Sequence, residues 1–582
     1  MEFASIKALL AAYQSGELTV ADYLRQQWRA AHNDQNNCWI SLIGESRLEA
    51  FIFDLSHYSP ADKPLYGVPF AIKDNIDLAG LPTTAGCPDY AYEPSDSAFV
   101  VAKLIEAGAV PLGKTNLDQF ATGLVGVRSP YGACKNSIDP NYVSGGSSSG
   151  SAVSVALKQV LFSLGTDTAG SGRVPAAFNR LVGMKASKGL LSCSGVVPAC
   201  RSLDCVTLFA HSVEDIQTLL PIAGQYDEAD SYAREKLPAP INAAGGSGKL
   251  RIGVPKKAQL AFFGNHVFAE RFEKAKQDFS ALGAELVEVD FQDFLDAATL
   301  LYQGPWVAER YAAIQEFFEA DASRCLPVIQ TIVGGATEHS AVDAFKASYQ
   351  LQAFKKRCDK QLSELDLMLT PTAGNIYTIA ELEANPIELN SNLGYYTNFM
   401  NLLDYAAVAI PDASSDGGMP FGITLFAAAG SDDKLLQIAR CFESQQPLST
   451  EEQGMMTVAV CGAHLEGLAL NHQLLERGAS LLEKCQSAAA YKFYALAGDG
   501  PARPGMVRVE EGGQSIAMEL WQLPQARVGD FLEGIPAPLG LGKVELADGR
   551  WVTGFICEAI GVAGATDISE FGGWRAYLDS LN

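Results

Sequence analysis

The residues whose types and spacing could do chemistry fall in three short stretches. A single lysine, Lys73, ends an otherwise apolar run that begins at Gly67 and leads into Asp74 and Asn75. Residues 145–150 read Gly-Gly-Ser-Ser-Ser-Gly, and residues 165–175 read Gly-Thr-Asp-Thr-Ala-Gly-Ser-Gly-Arg-Val-Pro. A lysine on an apolar strand is costly to bury charged, so burial drives it toward the neutral amine, which can act as a base. A serine hydroxyl is a poor nucleophile unaided and needs such a base. Glycines around both serine stretches let backbone N–H groups approach a small ligand closely, as an oxyanion hole requires. Taken singly, a lysine at a strand end is usually solvated, and a Gly/Ser loop is usually only a loop.

Competing signals are weaker. Residues 146–150 fit the letters of G-x-S-x-G with Ser148 central, but a Gly/Ser-rich run fits them easily. Just upstream, Asp139, Pro140 and Asn141 read as a turn rather than the buried strand that a nucleophile elbow needs. Residues 244–249, Ala-Gly-Gly-Ser-Gly-Lys, fail the phosphate-loop pattern at both ends, at Ala243 and at Leu250, and read as a surface loop. The 7 histidines form no HExxH and no metal spacing, and the 12 cysteines include no CxxC. No metal or other cofactor is expected, and scattered cysteines suit a reducing cytoplasm.

Several elements must position the three stretches. Residues 5–13 and 20–31 are helical in pattern, 68–72 and 110–112 read as strands, and 268–282 is an amphipathic helix. Alternation of this kind predicts an α/β sandwich around a large mixed sheet over residues 1–443. The small residues of 143–198 are interleaved with Val, Leu and Ala, which reads as tightly packed core rather than linker. A polar linker broken by Pro447 is expected at 444–454. Beyond it, residues 455–582 read as a second, smaller β-rich α+β domain, with strands near 457–461 and 516–520 and a hairpin turn at Asp548-Gly549.

At 582 residues, 48% hydrophobic and 19% charged, the chain has ample material for buried cores. Its 43 Lys and Arg stand against 67 Asp and Glu, a formal net charge of −24, of which the tail carries −6. Such a chain repels phosphate backbones and anionic lipid, so neither nucleic acid nor membrane is an expected partner. No apolar run reaches 18 residues, and Met1-Glu2-Phe3 reads as no signal peptide.

Taken together, the three stretches resemble the amidase signature family. Gly145 to Gly150, fifteen intervening residues, then Thr166 to Pro175 match its long signature almost position for position. Asp118-Gln-Phe-Ala-Thr-Gly123 and Ser129-Pro-Tyr-Gly132 add to the likeness, which covers roughly residues 5–440. The resemblance implies a Ser-cisSer-Lys triad. Lys73 would be the ultimate base, Ser147 would relay the proton from a cis Gly146–Ser147 peptide, and Ser171 would be the nucleophile. It also implies an oxyanion hole of backbone N–H groups from Thr168, Ala169, Gly170 and Ser171, with Asp167 and Arg173 holding the loop.

One departure and two further features narrow the resemblance. Gly172 stands where the family usually has a branched apolar residue, which predicts room beside the nucleophile for a compact polar substrate. Pro305 suits the first position of a helix, with Arg310 in its second turn and Tyr302 just ahead. Gly172, the Tyr302/Arg310 pair and the tail resemble one branch, the allophanate hydrolases. That branch implies allophanate as substrate, its carboxylate gripped by Arg310 with Tyr302 donating alongside. It further implies release of ammonia, and a tail that promotes decarboxylation of the N-carboxycarbamate left behind. The tail, from Val458 to Leu474, also resembles γ-glutamylcyclotransferase-like folds, and His464 at its strand end is the candidate proton donor. The branch implies coupling to a biotin-dependent urea carboxylase, a homodimer and a cytoplasmic setting. Alternatives are another amidase-signature amidohydrolase acting on a different small amide, the glutamine amidotransferase subunit used in tRNA charging, or a non-catalytic scaffold. Intact Lys73, Ser147 and Ser171 argue against the last.

Overall fold

Strand β2 (Pro69–Lys73) is buried along its whole length. It lies in an eleven-stranded sheet with β1 (Trp39–Leu42), β3 (Val110–Thr115), β4 (Phe162–Asp167), β5 (Val182–Lys185) and β6 (Cys205–Ala210). The sheet continues through β7 (Arg251–Pro255), β8 (Glu285–Val289), β9 (Leu367–Pro371), β10 (Tyr405–Pro411) and β11 (Gly422–Ala428). These come from a computed structural model that describes residues 3–238, 249–413, 418–448, 455–496 and 503–581. Most of the loop expected at 244–249, and residues 449–454 of the expected linker, lie outside the described residues.

The spatial order is β1-β3-β2-β4-β6-β5-β10-β11-β9-β7-β8. The pairs β3/β2, β2/β4, β9/β7 and β7/β8 are parallel and the others antiparallel, so the sheet is mixed and the class is α/β. Parallel strands covered on both faces read as near-continuous apolar runs, as 69–72 and 161–164 do. Ile72 is level with Leu164 in the β2/β4 register, so Lys73 and Thr166 leave the sheet at the same edge. Ligands of open α/β sheets gather at such carboxyl ends.

Local chemistry accounts for the flanking helices. Ser5 and Thr19 accept from Ala8 and Asp22 N–H groups at the starts of Ile6–Ser15 and Val20–His32. The amphipathic stretch near 268–282 forms the helix His266–Ala281, which buries Phe268, Phe272 and Phe279. Residues 162–178 are buried throughout, which agrees with packed core in place of a linker.

The chain divides into two units, Met1–Leu448 and Ser449–Asn582. In the second, β12 (Met455–Val460), β13 (Ser480–Gln486), β16 (Ala517–Pro524), β17 (Leu539–Glu545) and β18 (Trp551–Cys557) form one sheet, ordered β13-β16-β12-β18-β17. A smaller sheet joins β14 (Tyr491–Leu496), β15 (Arg503–Arg508) and β19 (Thr566–Asp567). The Asp548-Gly549 turn closes the β17/β18 hairpin, with Glu545 opposite Trp551 and Gly549 at φ 86°. All twelve cysteines are free thiols. Among the described residues, no helix is long and apolar enough to cross a membrane.

Candidate active site

Lys73 is 0% exposed at the end of β2, and its Nζ donates to Ser147 Oγ at 2.8 Å and to Thr166 Oγ1 at 2.7 Å. Burial pushes its pKa down to about 7, against the pull of the Asp118, Asp204 and Asp167 carboxylates. Near neutrality such an amine can take up and return a proton, as a general base must. Thr166, which shares this amine with Ser147, carries no signal by itself and is found only through the β2/β4 register.

Ser147 follows a cis Gly146–Ser147 peptide bond, just ahead of the helix Ser149–Ala156. Ser171 ends the loop after β4, and its hydroxyl donates to the Gly123 carbonyl at 3.4 Å. No hydrogen bond joins Ser147 to Ser171 among the described residues, so the last link of a Lys73–Ser147–Ser171 relay is open. Catalytic hydrogen bonds are often long without substrate and tighten when it binds.

The loop 167–172 is held by buried charge. Asp167 and Arg173 form a two-pronged ion pair, Nε to Oδ2 at 2.9 Å and Nη2 to Oδ1 at 2.9 Å. Burial alone would raise the Asp167 carboxyl, but the Arg173 guanidinium holds it below its ordinary value. Thr168 Oγ1 donates to Asp204 Oδ1 at 2.5 Å, and Thr397 Oγ1 donates to the Ala169 carbonyl at 2.6 Å. Gly170 adopts φ +130°, and a Cβ there would meet Thr397 Oγ1 at 2.4 Å, so only glycine fits.

Two expectations about this loop are corrected. The Gly170 N–H is already committed to Asp167 Oδ1 at 2.8 Å, which takes it out of the expected set of oxyanion donors. Gly172 does not open space for substrate: a Cβ would strike Thr207 of β6 at 2.4–2.8 Å. Its missing side chain accommodates the neighbouring strand behind Ser171.

Arg310 is 3% exposed in the second turn of the helix Trp306–Ala320, with Pro305 standing one place earlier than expected, as the cap. Its Nη1 donates to Thr122 Oγ1 at 3.2 Å and reaches the Ala121 carbonyl at 3.5 Å. Its Nε and Nη2 are buried with no hydrogen-bond partner among the described residues. These two nitrogens form the side-on edge of a guanidinium, which matches a carboxylate with two parallel N–H bonds. The Arg310 guanidinium carbon lies over the Tyr302 ring, 5.5 Å from its centroid.

Sequence reasoning missed the turn that joins these parts. Phe120 and Ala121 sit at φ 50° and 51°, uncommon for non-glycine residues, and aim Ala121, Thr122 and Gly123 at both Arg310 and Ser171. Asp118 steadies the turn by accepting from the Val125, Gly126 and Arg128 N–H groups. The stretch from Asp118 to Gly123 contributes to the family likeness, but nothing in its letters announces this role.

His464 belongs to the second unit. It follows β12, the central strand of its sheet, and is 9% exposed. Its ring stacks on Phe555 at 5.0 Å and its Nε2 pairs with Gln473 Oε1 at 3.0 Å. Burial lowers its pKa. It lines a pocket within the unit together with Gln473, Arg503 and Phe555. No cluster of metal-binding side chains occurs among the described residues.

Residues 19–436 match the Amidase family and residues 456–579 match the Allophanate hydrolase C-terminal domain. The chain is 42% identical over 578 residues to a urea amidolyase from Saccharomyces cerevisiae, covering 94% of this chain and 31% of that one. It thus spans about a third of the length of that relative. It is 32% identical over 482 residues to a glutamyl-tRNA(Gln) amidotransferase subunit of Methanosarcina acetivorans, covering 78% of this chain and 98% of that one. Among solved structures it is similar to an allophanate hydrolase from Kluyveromyces lactis, with 39% identity, a TM-score of 0.74 and full coverage of both chains.

Proposed function

The chain belongs to the amidase family, and on that premise we propose that it hydrolyses allophanate, the anion of N-carboxylated urea. The observation that carries this reading is Arg310, a buried cation with its side-on edge unpaired beside the nucleophile's turn. Asp204 and Glu309 lie near enough to favour the charged guanidinium but are not ion-paired with it among the described residues, and a substrate carboxylate would supply the direct partner for the open edge. An N-carboxylated urea holds its reacting carbonyl and its carboxylate on either side of one nitrogen, so the clamp and the nucleophile must stand close together.

In this reading neutral Lys73 draws a proton from Ser147, which draws one from Ser171, and Ser171 Oγ attacks the terminal urea carbonyl. The oxyanion is met by the N–H groups of Thr168, Ala169 and Ser171. The proton returns through Ser147 to the departing nitrogen, the C–N bond breaks and ammonia leaves. Water, deprotonated by the same relay, opens the acyl-enzyme and releases N-carboxycarbamate. Loss of carbon dioxide from that product leaves an electron pair on nitrogen that takes up a proton, and we assign the tail to this step, with His464 as the donor. Support for the tail's part is the match of 456–579 and the seclusion of His464 in a pocket of its own.

Coupling to a biotin-dependent urea carboxylase belongs to the same proposal, as do a cytoplasmic setting and a homodimer. The urea amidolyase relative is about three times the matched length, which leaves room there for a further activity. The likeness to amidotransferase subunits keeps glutamine as the second reading. Ammonia release assayed across allophanate, malonamide, glutamine and an aryl amide tests the proposal. Preference for allophanate supports it, and preference for glutamine overturns it.

A further inference from the structure

The second unit holds a cation that nothing in the amidase chemistry uses. Arg503 opens β15, and its Nε is buried with no hydrogen-bond partner among the described residues. It lines the same pocket as His464, and among the described residues no carboxylate lines that pocket with them. The two are brought together by a close approach. A Cβ on Gly462, two residues before His464, would meet the Pro504 ring at 2.5 Å, so only glycine lets the turn lie against the start of β15. Asn471 Nδ2 donates to the His464 carbonyl at 3.1 Å, and Gln473 fixes the ring through Nε2, leaving Nδ1 as the ring nitrogen with no hydrogen-bond partner among the described residues.

We propose that this pocket is an anion site in which Arg503 grips a carboxylate of a small N-carboxylated dianion beside His464. The proposal deepens the tail's assigned part in decarboxylation and rests on it for the natural ligand. In a chain of formal charge −24, a pocket with no ion pair to its guanidinium and no acidic lining among the described residues is the kind of local field that retains a dianion. The charges bearing on His464 agree. After burial, Arg503, His472 and Arg477 all depress its protonation, and Arg477 is itself paired to Asp530 at 3.1 Å. A dianion on Arg503 would offset that repulsion, so the ring would gain its proton when the ligand that consumes one arrives.

Malonate is a suitable probe, because it replaces the central N–H of N-carboxycarbamate by CH2 and so has no N–CO2 bond through which to lose carbon dioxide. The full chain, labelled at its histidines and carrying Arg310→Leu to silence the other anion clamp, is titrated with malonate and the ring signals are followed by NMR. The His464 signal, identified by its loss in His464→Gln, should shift on saturation toward the protonated form. Arg503→Gln should weaken that titration by at least about tenfold, and Arg503→Lys should recover part of it. A His464 signal that malonate leaves unmoved, or moves equally in Arg503→Gln with unchanged melting temperature, overturns the proposal. Failure of the tail's assigned function reads differently. If the unsubstituted full chain leaves N-carboxycarbamate to its spontaneous decay while malonate still shifts His464 through Arg503, the anion site stands and the decarboxylation reading falls.

Discussion

Ser171 and Arg310 are tied to successive residues of one turn: the serine hydroxyl donates to the Gly123 carbonyl, and the guanidinium donates to the Thr122 hydroxyl. Serine and cation are therefore anchored side by side on a segment that belongs to neither. Such neighbouring anchors agree with the proposed substrate, whose scissile carbonyl and carboxylate flank a single atom.

Thr122→Val keeps the shape of the side chain but removes the oxygen that holds Nη1 of Arg310. KM for allophanate should rise about tenfold, the order expected for one hydrogen bond to a charged group. The kcat should change less, and KM for biuret, the neutral amide counterpart, should hardly move. Equal losses on both substrates would show that Thr122 only supports the fold.

Lys73→Ala and Ser171→Ala should each lower ammonia release by on the order of 10⁴-fold or more, and the double variant should be little worse, since groups acting as one unit fail together. Near-normal turnover by Lys73→Ala would remove the lysine from the mechanism.

The pH dependence follows from the buried amine. Only neutral Lys73 can accept a proton, so kcat/KM should fall as pH drops through about 7. The stability linkage has the same sign. With the folded value below the ordinary lysine value near 10.4, the unfolded chain binds the extra proton between those limits. The stability tied to this group is therefore complete above the upper limit and lost as pH falls to the lower one. Lys73→Met should flatten this part of the stability profile in denaturant titrations run across that window. A slope that persists unchanged would place the proton elsewhere.

How much of this was legible beforehand depends on the kind of signal. Lys73 stands out because a charge on an otherwise apolar strand is rare, and β2 does bury it fully. The mixed sheet follows from alternating helix and strand patterns, and the tail hairpin follows from Asp548-Gly549. Thr122, Thr166 and Asp204 were not legible, because a buried threonine or aspartate reads like any other until the strand register and a left-handed turn bring it to its partner. Gly172 was misread for the same reason: a glycine announces a missing side chain but not the direction in which it would have pointed. Gly170 was misread because its N–H partner, Asp167, lies only three residues away and reads equally well as a support.

Gly172→Ala puts that correction to the test. Its new Cβ would press on Thr207 inside the sheet, so the melting temperature should drop and activity should fall in proportion on every substrate. Unchanged stability with a shifted substrate preference would restore the view that Gly172 shapes the pocket.

Arg310→Leu tests the central claim most directly, with kcat/KM measured side by side on allophanate and biuret. The account predicts a loss on the order of 10²-fold or more for allophanate and a far smaller one for biuret, because only the first brings a carboxylate to the Nε and Nη2 edge. Equal losses on the two substrates would contradict it, and would make Arg310 a support of the fold and allophanate the wrong substrate.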